Sequence, residues 1–357
     1  MDDSTFYFWL SFLLLLISFF ALSWSFFAAL FLPTQWLTPV DKVILITGCD
    51  SGIGLEIAKY LHSKGSIIIA TVLSRSSPGA LELKTLKLNE DRIFLIELNL
   101  IDSKNLHESI EKIRKILDER KCGKCFYIDC ICNFISHFFS LLTELHALIN
   151  NAGICVFGEF DFQTFKQIES QINVNFLGTI NLIKLLLPLI IKSKSRIINL
   201  SSVNALVPFP GLSVYSATKK AIETFSESLS IEMKKFNVKT VCIRLGDYAK
   251  LTNIMVNHRK IMKDQLEQFD ESKRRLYGDY FEKYHENVMK NYGMFSPKSY
   301  ASSTLFDDFE KAVYAVNPPT HLISSTFSYK ILILFLYYIP FNMRCYLLNK
   351  FVSETIK

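Results

Sequence analysis

Tyr215 and Lys219 are one helical turn apart, the spacing that sets two side chains on the same face of a helix. An ammonium group close to a phenol stabilises the phenolate. A tyrosine that ordinarily titrates near 10 then becomes a base usable closer to neutral pH, able to take a proton from a hydroxyl group. The pair alone is a weak signal, because both residues are common on solvated helix faces. Here it has company. Ser201 and Ser202 precede it, Asn150-Asn151-Ala152-Gly153 lies mid-chain, and Thr47-Gly48-Cys49-Asp50-Ser51-Gly52-Ile53-Gly54 opens the globular part.

Glycines in the last of these stretches permit a tight turn and let the backbone approach a pyrophosphate. A helix starting there offers free N–H groups and partial positive charge. Out of context the pattern reads equally well as a structural turn. Placed after a strand and at the head of an alternating fold, it is predicted to hold a dinucleotide.

The elements that must position these residues follow a regular rhythm. Apolar strands are predicted at 43–46, 67–72, 93–98, 147–150, 196–200 and 239–245. Helices are predicted at 54–63, at 81–88, from Asp102 or Ser103 to 117, in two stretches up to about 191, and at 215–236. Short apolar strands alternating with helices imply an α/β fold, a Rossmann-type doubly wound parallel sheet covered on both sides. Two regions break the rhythm. Residues 121–142 carry Cys and Phe in no clear period. Residues 257–292, within a longer 247–300 segment, are charged and helical with interspersed aromatics, and are read as a substrate lid over the C-terminal ends of the strands.

Half of the 357 residues are hydrophobic, and the excess is concentrated at the start. Phe6 to Leu32 holds no charged residue. As a helix it would be roughly 40 Å long, enough to cross a bilayer with tilt. The acidic N-terminus and long apolar run favour a retained single-pass anchor over a cleaved signal peptide, giving a membrane segment over 1–40 and a catalytic domain over 41–325. Residues 326–357 form an apolar C-terminal segment, too short to span at 331–339 and suited to a buried or interfacial place. The net charge of +6 is mild and forms no compact basic patch, which argues against a nucleic-acid partner. Cys122, Cys125, Cys130 and Cys132 cluster, with His137 nearby. Their spacing is unlike the two separated knuckles of structural zinc sites, and no metal is assigned.

Taken in order, the glycine-rich turn, Asn-Asn-Ala-Gly, Ser202 and Tyr215-x-x-x-Lys219 resemble the short-chain dehydrogenase/reductase family over roughly 41–322. Thr47 to Gly52, Ala70 to Leu73 and Ser77 to Leu83 are most similar to the membrane-bound type 2 11-beta- and 17-beta-hydroxysteroid dehydrogenases. Retinol and 3-hydroxybutyrate dehydrogenases share much of the same wording. The resemblance implies interconversion of a secondary alcohol and a ketone on a lipophilic substrate, most closely a hydroxysteroid. It also implies a membrane location, the endoplasmic reticulum ahead of the mitochondrion, and a homodimer.

By the same resemblance, Asn175 would hold a water in a proton relay and Ser202 would hydrogen-bond the substrate oxygen. Tyr215 would take the hydroxyl proton, and Lys219 would bind the nicotinamide ribose and lower the tyrosine pKa. The cofactor cradle would comprise Thr47, Gly48, Asp50, Ser51, Gly52, Ile53 and Gly54, with Asn151, Ala152 and Gly153 beside the adenine ribose and Asn99 at the adenine amine. Thr252 would reach the carboxamide. NAD is implied by the relatives. Arg75, standing after the second strand where an acid would select NAD, points towards NADP.

Two departures stand out. Leu245-Gly246-Asp247 replaces the Pro-Gly usual after the sixth strand. Residues 121–142 are either an inserted loop or retained intron sequence, since an apolar loop of that length is unusual inside a compact domain.

Overall fold

The computed structural model describes residues 7, 9–18, 20, 34–87, 92–125 and 144–356. The chain divides into a small unit, within 1–37 and 315–317, and a large one, 38–314 with 318–357. In the small unit an apolar helix runs over Trp9–Ser18, and Trp36 forms an antiparallel bridge with Ala315. Ten residues extend about 15 Å, roughly half the hydrocarbon core of a bilayer. Most of the expected 6–32 span lies outside the described residues, as do residues 126–143 of the irregular insertion and with them Cys130 and Cys132.

The large unit is built on seven parallel strands in the order β3-β2-β1-β4-β5-β6-β7. They are β1 (Val43–Ile46), β2 (Ile67–Val72), β3 (Ile93–Glu97), β4 (Leu145–Asn150), β5 (Arg196–Ser202), β6 (Lys239–Leu245) and β7 (His321–Ser324). The four residues of β1 and the six of β2 are buried, which is why these strands read as unbroken apolar runs rather than alternating ones. The seventh strand was not anticipated. It is short, only half-buried over most of its length, and sits at the sheet edge, so its sequence carries little strand signal.

Helices cover both faces: α1 (Gly52–Ser63), α2 (Pro78–Lys87), α3 (Ser103–Cys125), α4 (Phe165–Ile172), α5 (Thr179–Lys192) and α6 (Ser213–Met233). Ile53, Ile57, Ala58 and Leu61 of α1 recur at helical spacing and pack on one side of the sheet. Leu182, Ile183, Leu186 and Ile190 of α5 pack on the other. The continuous stretch Phe165–Lys192 is apolar and long enough to cross a membrane, but these contacts make it a core helix of the sheet. After β6 come α7 (His258–Glu267), α8 (Glu271–Tyr277), α9 (Tyr280–Asn291) and α10 (Leu305–Tyr314), and after β7 come α11 (Phe327–Tyr338) and α12 (Phe341–Ile356).

The order reverses between β1 and β4. In open parallel sheets the crevice beyond the strand ends at such a reversal is where ligands bind.

Candidate active site

The glycine-rich turn leaves β1 and enters α1 at that reversal. Gly48 has φ +71° and Gly52 φ +61°, a backbone region that L side chains rarely adopt. A Cβ on Gly48 would sit 2.9 Å from the Ala152 Cα. One on Gly54 would sit 2.3 Å from both the Gly48 carbonyl oxygen and Asn151 Nδ2. Only glycine fits this cradle, and its floor is the Asn-Asn-Ala-Gly stretch. Thr47 Oγ1 accepts the N–H groups of Asn151 and Ala152 at 3.0 Å each, and the Asn151 amide donates to the Thr47 and Gly48 carbonyls. Ser51 caps α1 without a side-chain hydrogen bond, leaving the first N–H groups of the helix for an anion. These features fit a dinucleotide pyrophosphate. Ile53 and Thr252 line the adjoining cleft, and the Thr252 methyl lies 3.2 Å from the place a Gly52 Cβ would take.

At the end of β2, Asp50 turns its carboxylate away from the cradle to accept the N–H of Leu73, at 2.9 and 3.0 Å, and of Ser74. Arg75 lies beside Glu97: its backbone N–H donates to Oε1 at 3.1 Å and its Nε is 3.8 Å from Oε2. The residue that pointed towards a phosphate thus already has a carboxylate beside it. Asn99 Oδ1 accepts the Ile101 N–H, so part of its acceptor capacity serves a local turn.

Asn175, Ser202, Tyr215 and Lys219 come from a π-helical turn (Asn173–Gly178), the end of β5 and α6. Asn175 is buried: Oδ1 accepts the Ile154 N–H at 2.8 Å, and Nδ2 donates to the Ile154 carbonyl at 2.8 Å and to Thr218 Oγ1 at 3.1 Å. Lys219 Nζ, also buried, donates to the Leu200 carbonyl at 3.0 Å and lies 5.7 Å from the Tyr215 ring centre. A Cβ on Gly153 would be 3.3 Å from both Asn175 Oδ1 and Lys219 Nζ, so glycine keeps the space between them open. Ser202 Oγ accepts the Asn204 N–H at 3.2 Å, while Ser201 turns inward to Lys219 O and Glu223. Only Ser202 of the two serines lines the cleft with Tyr215.

The pKa expectation needs correction. Part of Tyr215 opens on the cleft, yet burial, followed by the neighbouring Cys155, pushes its phenol above the ordinary value; a hydrogen bond with Ser202 pulls back. Burial lowers Lys219 to about 8. Burial is the first cause of both shifts, and Nζ donates to the Leu200 carbonyl.

The cleft beyond Tyr215 has about 290 Å³ of room for water-sized molecules. Phe157, Phe209, Leu212, Tyr284, Val288 and Met294 are among its walls. Among the described residues no Lys, Arg or His lines it. Among the described residues Asp247 is its one carboxylate, and that group accepts Ala249 N, Phe295 N and Ser296 Oγ at 2.8–3.0 Å, tying the loop after β6 to the chain beyond α9. Of these walls only Tyr284 is among the aromatics marked in the 257–292 stretch; Phe157, Phe209 and Tyr329, which also lines the cleft, carried no signal.

Residues 42–120 and 129–261 match the short chain dehydrogenase family. The chain belongs to that family. The match skips 121–128, at the start of the irregular insertion. The mitochondrial D-beta-hydroxybutyrate dehydrogenase of Mus musculus is 32% identical over 78% of this chain and 75% of its own. Estradiol 17-beta-dehydrogenase 2 of Rattus norvegicus is 30% identical over 96% and 84%, and 11-beta-hydroxysteroid dehydrogenase type 2 of Oryctolagus cuniculus 29% identical over 80% and 64%. The protein is therefore a short-chain dehydrogenase/reductase, an oxidoreductase of CH–OH groups working with NAD(P).

Proposed function

We propose that the protein interconverts a secondary alcohol and a ketone on a neutral lipophilic substrate, a hydroxysteroid, with NAD. The observation that carries this reading is the cleft lining. A small hydroxy acid would place its carboxylate against these walls, and among the described residues they offer no cation to receive it. That favours the steroid dehydrogenases over the hydroxybutyrate dehydrogenases among the relatives, although both are similarly identical in sequence. NAD is favoured because Asp50 and Glu97 set two carboxylates at the end of β2 and β3 and Arg75 is engaged by one of them.

The glycine cradle, Asn151 to Gly153 and Thr252 would hold a nicotinamide dinucleotide, which would supply the hydride acceptor in oxidation and the hydride donor in reduction. The proton is the task of this chain's own side chains. In reduction, the phenol of Tyr215, kept protonated by its surroundings, donates to the carbonyl oxygen while the Ser202 hydroxyl donates to the same atom. In oxidation the ionised Tyr215 takes the proton back, and the Lys219 ammonium offsets the phenolate charge. Asn175 and Lys219 flank the opening left by Gly153, a path for a relay water. Helices α7 to α9 serve as a lid over the substrate. The uncharged, apolar 6–32 segment anchors the chain in a membrane, that of the endoplasmic reticulum, a reading that rests on its length and composition.

The test is NAD and NADP reduction by membranes carrying the full chain against hydroxysteroids, retinol and 3-hydroxybutyrate. Steroid-dependent reduction of NAD is expected. Preferential turnover of 3-hydroxybutyrate would overturn the reading.

A further inference from the structure

Helix α11 is apolar on two opposite faces. Tyr329, Ile333 and Leu336 are buried against the body of the protein. Phe327, Ile331, Leu334, Phe335 and Tyr338 follow the same helical spacing on the other side and are exposed, Phe327 at 78% and Tyr338 at 79%. A helix at a water interface ordinarily has a polar outer face; one apolar all round calls for an apolar neighbour. Beyond Pro340 the exposed face continues onto α12 through Phe341, Met343 and Tyr346. At ~200 Å² per aromatic side chain, the exposed aromatics of this hairpin present roughly 700 Å², above the few hundred Å² of an ordinary surface patch.

The charge pattern identifies the neighbour. Between Glu310 and Glu354 the chain has no Asp or Glu, while Arg344 and Lys350 lie in the hairpin, and Lys330 is turned back to Thr304 and Asp308. Arg344 stands over the Phe341 ring at 5.5 Å, an apolar stem with a cationic head, as at a headgroup boundary. Two helices with aromatic and aliphatic outer residues, and with basic charges outnumbering the single acid Glu354 near the end of α12, suit an anionic lipid surface. The hairpin is also joined to the cleft: Tyr329 lines it and stacks on Phe295 at 4.9 Å, and α12 packs against α9.

We infer that α11 and α12 rest in the interface of a bilayer containing anionic lipid, so that the substrate cleft takes its ligand from the membrane. The second half of this statement rests on the lipophilic-substrate reading; the first does not.

The test uses the full chain in phosphatidylcholine vesicles, with and without phosphatidylserine, doped with a phospholipid carrying a diazirine on its acyl chain. After irradiation, label is expected on peptides containing Phe327, Phe335 and Tyr338, more with phosphatidylserine. Leu81 and Ile231, exposed apolar residues elsewhere, should stay unlabelled. Absence of label on 327–346 while the 6–32 segment is labelled would overturn the inference. So would chemical cross-linking of α11 to α11 of a second copy. The variant F335E/Y338E, changed only on the outer face, is expected to lose label and to turn over a vesicle-dissolved alcohol at least tenfold more slowly, with its rate on a water-soluble alcohol retained. Equal rates on both would overturn the membrane route for the substrate. Labelled hairpins in an enzyme that ignores every lipophilic alcohol would reject the proposed function and leave the docking surface standing.

Discussion

Gly211 offers the sharpest test of how α9 is seated against the cleft. It has φ +79°, and a Cβ there would lie 1.9 Å from Tyr284 Oη and 3.0 Å from Tyr284 Cζ. Tyr284 stands on α9 and lines the cleft. Gly211→Ala therefore carries two costs. Holding alanine in the left-handed region takes about 1–2 kcal/mol, and displacing the packed tyrosine takes about 1–3 kcal/mol more. Replacing Tyr284 by Phe removes the hydroxyl that collides and leaves the backbone cost, so the double variant should recover about 1–2 kcal/mol relative to Gly211→Ala. Thermal unfolding reads this directly, at ~2–4 °C per kcal/mol for a chain of this class. Steady-state KM for the lipophilic alcohol should rise roughly tenfold in Gly211→Ala and return most of the way in the double variant. Equal impairment of single and double variants, in Tm and in KM, would show that the Gly211–Tyr284 contact does not seat α9.

Other outcomes follow from the same structure. Burial lowers Lys219 to about 8 from an ordinary 10.5, so the folded form releases a proton that the unfolded form keeps, and stability rises with pH between those values. Lys219→Met should be inactive yet more stable at pH 7 by about 2–3 kcal/mol, with that pH dependence gone, as urea unfolding at several pH values would report. His285 Nδ1 and His258 Nε2 meet at 3.2 Å between α9 and α7, both rings are buried, and burial lowers both pKa values, His285 to about 3. Stability should be full above about 6.5 and fall as the medium is acidified towards 3, by up to about 1.4 kcal/mol per pH unit per histidine. His285→Phe should flatten part of that slope in acid titrations followed by near-UV circular dichroism. Glu97→Gln releases Arg75 and should shift the kcat/KM ratio of NAD to NADP about five- to tenfold towards NADP; an unchanged ratio would remove Arg75 and Glu97 from cofactor choice.

The parallel sheet was legible because buried strands such as Val43–Ile46 are continuous apolar runs bounded by helices with a clear periodicity. The glycine turn was legible because φ and close approach demand glycine, so geometry and sequence carry the same signal. Pairings between distant residues were not legible. Arg75 looked like a phosphate ligand until Glu97, on the adjacent strand, came beside it. Asp247 looked like a departure from the family loop until its carboxylate was found holding Phe295 and Ser296. The sign of the tyrosine shift was also hidden, since spacing along a helix places Lys219 near Tyr215 but says nothing of how dry both are. The cleft walls come from six separate stretches of chain, and no local pattern marks them as one surface.

The most direct test follows a single deuterium. The full chain in phospholipid vesicles is given NAD and a hydroxysteroid deuterated at the carbinol carbon, and mass spectrometry follows the ketone and the label in the reduced cofactor. Wild-type protein should form both together, and Tyr215→Phe should form neither at more than about a thousandth of that rate. Labelled cofactor appearing at the wild-type rate in Tyr215→Phe, or faster from deuterated 3-hydroxybutyrate than from the steroid, would contradict the account.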